Sequence, residues 1–317
     1  MTRSNRPSLV ATVLAASALV LGLVSGLAPG PGSAPAATAQ SVMPLSPPGV
    51  PQLESAPVHT PLIPGVGAMP VLTYPVIGPD RPAPEYGDVT VFPTPGEVVG
   101  VAQPVMFFFD RPVTDRARAE ATIGIRTEPP VAGRFYWISD HELRWRPHEF
   151  WPAHSSVTVW AGGKRQQTFR TGDALIAVYD DRTKQITVTR NGHHVRTMPA
   201  SAGMPGWETY NGVYYTGQRG RSVRMNSETF GLRIEDGGYD SIVHDAVRLS
   251  YDGIYIHSAP WSLADQGVRN VSNGCINISP DDARWYYDNT RNGDPFIVVG
   301  GPGREFGAFD GQGDWNY

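Results

Sequence analysis

The chain has 317 residues, 40% of them hydrophobic, and a formal net charge of −4, so there is material for two domains with buried cores. A balance this slightly acidic, without a basic tract, disfavours nucleic acid and anionic membrane surfaces as partners. The single cysteine excludes an internal disulfide and leaves an incidental buried thiol, an intermolecular partner or a reactive group.

Residues 1–39 read as a signal peptide or an N-terminal membrane anchor. Arg3 and Arg6 form a positive n-region, residues 9–28 carry no charge, and Ala37-Thr38-Ala39 before Gln40 fits a cleavage site. The apolar stretch is long for a signal and just long enough to span a bilayer, so both readings stay open. Either one places the bulk of the protein outside the cytoplasm, in the cell envelope. Residues 40–84 form a Pro-rich linker, because more than half of the 30 prolines fall between positions 29 and 95. A segment of that composition cannot pair its backbone and reads as an extended, solvated spacer, with plain disorder as the alternative.

Residues 85–172 carry short β-like runs at 105–109, 142–146 and 157–160, and their size and spacing suit a small sandwich. Residues 142–146 alternate polar and apolar side chains, as a half-buried strand does. No His, Cys or carboxylate cluster stands here, so this region is read as a positioning or binding module. From Asp173 strands restart at 176–179 and 185–189. Asn191-Gly192 then marks a two-residue hairpin ahead of a strand at 193–198. A further strand at 253–256 leads into His257. Ser279-Pro280-Asp281-Asp282 starts a helix that runs to about Asp288 and partly buries Ala283, Trp285 and Tyr286. Residues 296–299 make the last strand. The fold class is therefore all-β, with one short helix in the second domain.

The chemistry-bearing segment is Tyr255-Ile256-His257-Ser258-Ala259-Pro260-Trp261, followed by Ser272-Asn273-Gly274-Cys275-Ile276-Asn277. A thiol attacks as thiolate, and an imidazole that meets it in space generates that thiolate by taking its proton. Gly274 permits a sharp turn and the approach of a substrate carbonyl to the N–H groups of Gly274 and Cys275 as an oxyanion hole. His193, His194 and His244 show no ligand spacing, so neither a metal nor a cofactor is expected.

At these residues the chain resembles the L,D-transpeptidase (YkuD-like) catalytic domain. His257, Ser272-x-Gly274-Cys275-Ile276-Asn277, His-Ser-Ala-Pro-Trp at 257–261, Ile-Asn-Ile-Ser-Pro at 276–280 and Gly-Asp-Trp-Asn at 313–316 carry the likeness, over residues 173–317. The actinobacterial branch also places Ig-like domains ahead of the catalytic one, which implies an Ig-like sandwich at 85–172. The resemblance implies that Cys275 attacks the carbonyl between a diamino acid's L-centre and the terminal D-Ala of a peptidoglycan stem tetrapeptide. His257 acts as base and then acid, and the main-chain carbonyl of Ser258 orients the imidazole. Ser272 and Asn277 match positions that shape the site, Tyr239 a lid tyrosine, and Met225 a residue of the same flap. Trp261 reads first as a packed loop aromatic, with substrate contact as the alternative. Many members have His where this chain has Asn273, which hydrogen-bonds but exchanges no proton.

The implied reaction is a 3→3 cross-link through a thioester, with carbapenem-type β-lactams acylating Cys275 at the wall. An L,D-carboxypeptidase, which passes the same acyl-enzyme to water, is the neighbouring reading. A sortase-like enzyme would need a catalytic Arg such as Arg284 or Arg291. A wall-binding protein without activity is the reading that Asn273 favours.

Overall fold

The computed structural model describes residues 87–161 and 165–317. The signal or anchor, the linker and the first residues of the Ig-like region lie outside the described residues.

Eight strands build the first domain: β1 (Val89–Phe92), β2 (Val98–Val99), β3 (Val105–Phe109), β4 (Gly124–Glu128), β5 (Gly133–Trp137), β6 (Glu142–Pro147), β7 (Ser156–Ala161) and β8 (Arg165–Thr171), with a short helix α1 (Arg116–Glu120). They form two four-stranded sheets, β1-β3-β6-β5 and β2-β8-β7-β4. Phe107, Leu143, Trp145, Trp151, Val157, Val159 and Phe169 fill the space between them. Trp151 satisfies its indole by donating to the Gln103 carbonyl at 2.8 Å, which allows so large a ring to be fully buried.

The second domain is one nine-stranded sheet with a helix on it. Its strands are β9 (Leu175–Asp180), β10 (Gln185–Arg190), β11 (His193–Ser201), β12 (Gly212–Tyr215), β13 (Arg219–Asn226), β14 (Asp240–Arg248), β15 (Tyr255–Ser258), β16 (Ile276–Ile278) and β17 (Pro295–Val299). Their order is β12-β17-β9-β10-β11-β16-β15-β14-β13. The β10–β11 hairpin turns at Asn191 and Gly192, which take φ of 50° and 81°, the two left-handed positions that a tight two-residue turn demands. Helix α2 (Pro280–Asn289) is capped by Ser279, whose hydroxyl accepts from the Asp282 N–H at 3.2 Å. It buries Ala283 and Tyr286 and packs on β14 and β15. β15 and β16 run parallel and adjacent, with His257 opposite Asn277. A parallel pair needs a long connection, and residues 259–275 supply it, returning the chain so that Cys275 stands at the start of β16. That return path is what brings the imidazole and the thiol together.

Two expectations need correction. His257 lies inside β15 rather than after it. β6 is not half-buried: Arg144 and Arg146 are only 1% and 5% exposed. The reason lies in the C-terminal tail, which covers the polar face of β6. Arg144 holds the buried Asp314 carboxylate at 2.8 and 2.9 Å, and Arg146 donates to the Asp314 carbonyl at 2.9 Å. Trp315 donates to the Ala102 carbonyl at 2.8 Å and meets Phe150 edge-on at 4.6 Å. Asn316 exchanges two hydrogen bonds with the backbone of Val213 on β12. A second seam joins Gly100 and Ala102 to the carbonyls of Asn292 and Gly293, both at 2.8 Å. A Cβ on Gly100 would fall 2.1 Å from the Asp294 nitrogen, so this approach requires glycine.

Candidate active site

A cavity of about 280 Å³ opens over β14, β15 and β16. His257, Cys275 and Asn277 line it together with Ser272, Asn273 and Trp261. Met225 and Tyr239 close it from the β13–β14 side. Strand alternation explains the grouping. His257 and Asn277 are register partners and face one way, and Met225 is paired with Ser241 on the neighbouring hairpin. Ser258 contributes through its backbone and Gly274 through the turn before the cysteine.

His257 is 3% exposed, and burial holds its imidazole down at about 4, opposed by the hydrogen bond to Ser258. Its Nδ1 stands 3.0 Å from the Ser258 carbonyl. A carbonyl only accepts, so Nδ1 carries the proton and Nε2 keeps a free lone pair. Cys275 is 7% exposed, and burial pushes its thiol up to about 11 against a backbone hydrogen bond from Tyr255 that favours the thiolate. Its Sγ donates weakly to the Gly253 carbonyl at 3.7 Å. At neutral pH the resting pair is therefore thiol and neutral imidazole. Tyr239 is half-buried; burial first, and then the Cys275 charge, lift its phenol to about 12, so it stays a hydrogen-bond donor beside the sulfur.

The turn that presents the cysteine is held by two hydroxyls. Ser272 accepts from the Gly274 N–H at 3.1 Å and donates to the Cys275 carbonyl at 2.6 Å. Thr209 donates to the Gly274 carbonyl at 2.8 Å and accepts from the Gly203 N–H at 3.0 Å. Gly274 takes φ of 111°, which explains the glycine, while a Cβ there would meet nothing nearer than 3.8 Å. The two-donor oxyanion hole expected from Gly274 and Cys275 is corrected by this geometry. The Gly274 N–H is already engaged by Ser272, so the Cys275 N–H is the remaining donor of the pair. The expectation that Trp261 is a packed aromatic also fails. It is 61% exposed, stands at the cavity wall, and its ring lies 5.9 Å from that of His257. Asn273 is half-buried and lines the cavity with an amide.

Several contributors escaped the sequence reading. Ser241 and Val243 line the cavity, and the period-2 run 239, 241, 243 would have found them once Tyr239 was placed on that face. Ser227, fully buried, accepts from the Tyr239 N–H at 2.8 Å and donates to the Leu232 carbonyl at 2.7 Å, fixing the loop that carries Tyr239. Thr209 had no local signal, because its partner is 65 positions away. Among the described residues no group of His, Cys, Asp or Glu is arranged to hold a metal ion.

A curled β domain with a buried thiol, an oriented neutral imidazole and a cavity between them defines a class: a cysteine acyltransferase domain carried behind an Ig-like module. Comparison with known proteins gives the particular family. The family described as bacterial Ig domain matches residues 83–164, and the one described as L,D-transpeptidase catalytic domain matches residues 173–298. L,D-transpeptidase 1 of Mycobacterium tuberculosis is 45% identical over 227 residues, 71% of this chain and 88% of that protein. L,D-transpeptidase 2 of the same organism is 43% identical over 240 residues, 71% of this chain and 59% of its own length. A solved LD transpeptidase in complex with imipenem superposes with a TM-score of 0.66 at 45% identity, over 68% of this chain and all of that one. L,D-transpeptidase 3 of M. tuberculosis with a faropenem-derived adduct superposes at 0.62 and 37% identity, over 68% of this chain and 99% of that one. The chain belongs to the L,D-transpeptidase family.

Proposed function

We propose that this chain cross-links peptidoglycan stem peptides 3→3, and the observation that carries the reading is the Cys275 thiol facing the same cavity as a His257 imidazole whose Nδ1 is fixed on the Ser258 carbonyl. The Cys275 proton passes to His257 Nε2 as sulfur bonds to the carbonyl carbon between the diamino acid's L-centre and the terminal D-Ala. The oxyanion is met by the Cys275 N–H. Collapse breaks the C–N bond, and the imidazolium returns its proton to the departing D-Ala amine, leaving a thioester. The side-chain amine of a second stem then attacks the thioester, and its proton travels through His257 back to the thiolate. Trp261, Asn273 and Asn277 on one wall, and Met225 and Tyr239 on the other, bind and orient the stems. Asn273 donates and accepts hydrogen bonds there without moving a proton.

Carbapenems enter by the same chemistry, since sulfur attack on the lactam carbonyl opens the ring to a thioester. The imipenem and faropenem-adduct structures of relatives support this reading. The N-terminal segment exports the chain, and the Pro-rich linker spaces the folded part from the membrane, on the wall side, where a 3→3 cross-link serves wall organisation and cell shape.

The test is mass analysis of the full chain with a diaminopimelate tetrapeptide stem, beside Cys275→Ala. D-Ala loss with a dimer product, both dependent on Cys275, supports transpeptidation. D-Ala loss without dimer replaces it with the carboxypeptidase, and no turnover by wild type replaces it with a wall-binding protein.

A further inference from the structure

Strand β14 has one residue more than β15 can match. His244 pairs with Ser258 and Val247 with Ile256, so Asp245 and Ala246 together face His257. Against β13 the register of β14 is unbroken, so the extra residue is absorbed wholly on the His257 side. Asp245 carries this bulge with φ of 49°, a left-handed conformation that Asp and Asn tolerate better than other side chains. Such a conformation persists only where its surroundings hold it.

The surroundings do hold it. Asp245 is 8% exposed, and its carboxylate accepts from Arg221 Nη1 at 2.6 Å, with Arg284 Nε 3.9 Å away. Arg221 also pairs with Asp288 of α2 and stacks over Tyr287 at 4.1 Å, so the strand, the bulge and the helix are tied at one point. His244, Arg284 and Asp288 are the other titratable or charged groups of this outer cluster. On the cavity side the corresponding groups are Cys275 and Tyr239. The bulge also decides what meets the thiol. Ala246, fully buried, packs with Met225, Val243 and Cys275, while the next residue, Val247, belongs to the main core. Ser258, the residue paired with His244 where the bulge begins, supplies the carbonyl that orients His257.

We infer that Asp245, held by Arg221, is a positioning residue for His257: its left-handed backbone and its hydrogen bond from Arg221 outside the sheet fix the bulge that aims the imidazole at Cys275. The geometry of this claim stands alone, and only its effect on turnover rests on the transpeptidase reading.

The test uses ¹⁵N NMR of His257 in the full chain, with carbapenem acylation of Cys275 as a second readout. Asp245→Val puts a β-branched residue at positive φ. It should move the His257 titration from about 4 towards the ordinary 6.5 and mix the Nδ1–H tautomer with the other. Acylation should fall by about tenfold to a hundredfold, in the rate rather than in the half-saturating concentration. Asp245→Asn, which keeps the left-handed turn and an acceptor for Arg221, should restore both. A variant that loses only melting temperature, with the His257 titration and tautomer unchanged, overturns the inference. If Asp245→Val does not fold, Arg221→Gln serves, with the same shift expected and an unmoved His257 overturning the inference. The NMR readout needs no substrate, so a wild type that titrates near 4 yet is never acylated faults the function alone.

Discussion

Burial biases Cys275 and His257 in ways that solution chemistry can read. With the thiol raised to about 11, iodoacetamide should label the free enzyme slowly at pH 7 and still faster above pH 9. A labelling rate that levels off near pH 8 would refute the neutral resting pair. His257 has the opposite consequence for stability. Its folded value of about 4 lies below the ordinary 6.5, so between these limits the unfolded chain binds the extra proton. The contribution is whole above 6.5 and is lost as pH falls through about 4, amounting to on the order of 3 kcal/mol. Urea titrations of His257→Gln should show a flatter pH dependence over that window, and an unchanged slope would assign the acid sensitivity elsewhere.

Helix α2 links the sheet to the cluster around Asp245, so its first turn matters more than its length suggests. Ser279 accepts from the Asp282 N–H, and its hydroxyl donates to the Asp282 carboxylate at 2.7 Å, while Arg196 holds the same carboxylate from β11. Ser279→Ala removes the cap and should destabilise the domain by about 1 kcal/mol in urea unfolding. Ser279→Asp, which caps equally well but faces two aspartates, should recover only part of that loss. The hairpin at Asn191-Gly192 and this helix were both legible, because a cap and a left-handed turn are local events written in adjacent residues. The bulge at Asp245 was not, because it exists only relative to the register of β15.

At the scale of the molecule, the tail locks the Ig-like domain to the catalytic one through a buried ion pair. Arg144 and Asp314 are both essentially inaccessible, and Tyr136 also hydrogen-bonds the Asp314 carboxylate. Asp314→Ala strands the Arg144 charge and should lower stability by about 3–5 kcal/mol in thermal or urea unfolding. Arg144→Met combined with Asp314→Leu leaves no orphan charge and should recover most of it. A double replacement no better than the single would show that the hydrogen-bond network, rather than the stranded charge, dominates the loss.

The sequence by itself determined the all-β class, several of the strands, the capped helix and the likeness to the L,D-transpeptidase catalytic domain, because periodicity, turn chemistry and the Ser-x-Gly-Cys segment are properties of neighbouring residues. Even Ser241 and Val243 were readable in principle from their alternation with Tyr239. Tertiary structure alone decided that Thr209 clamps the cysteine turn, that Arg144 and Arg146 are buried, and that β14 bulges against His257. Each of these depends on a partner far along the chain. A hydrogen bond or a register shift has no signature in one strand until the other strand is laid beside it.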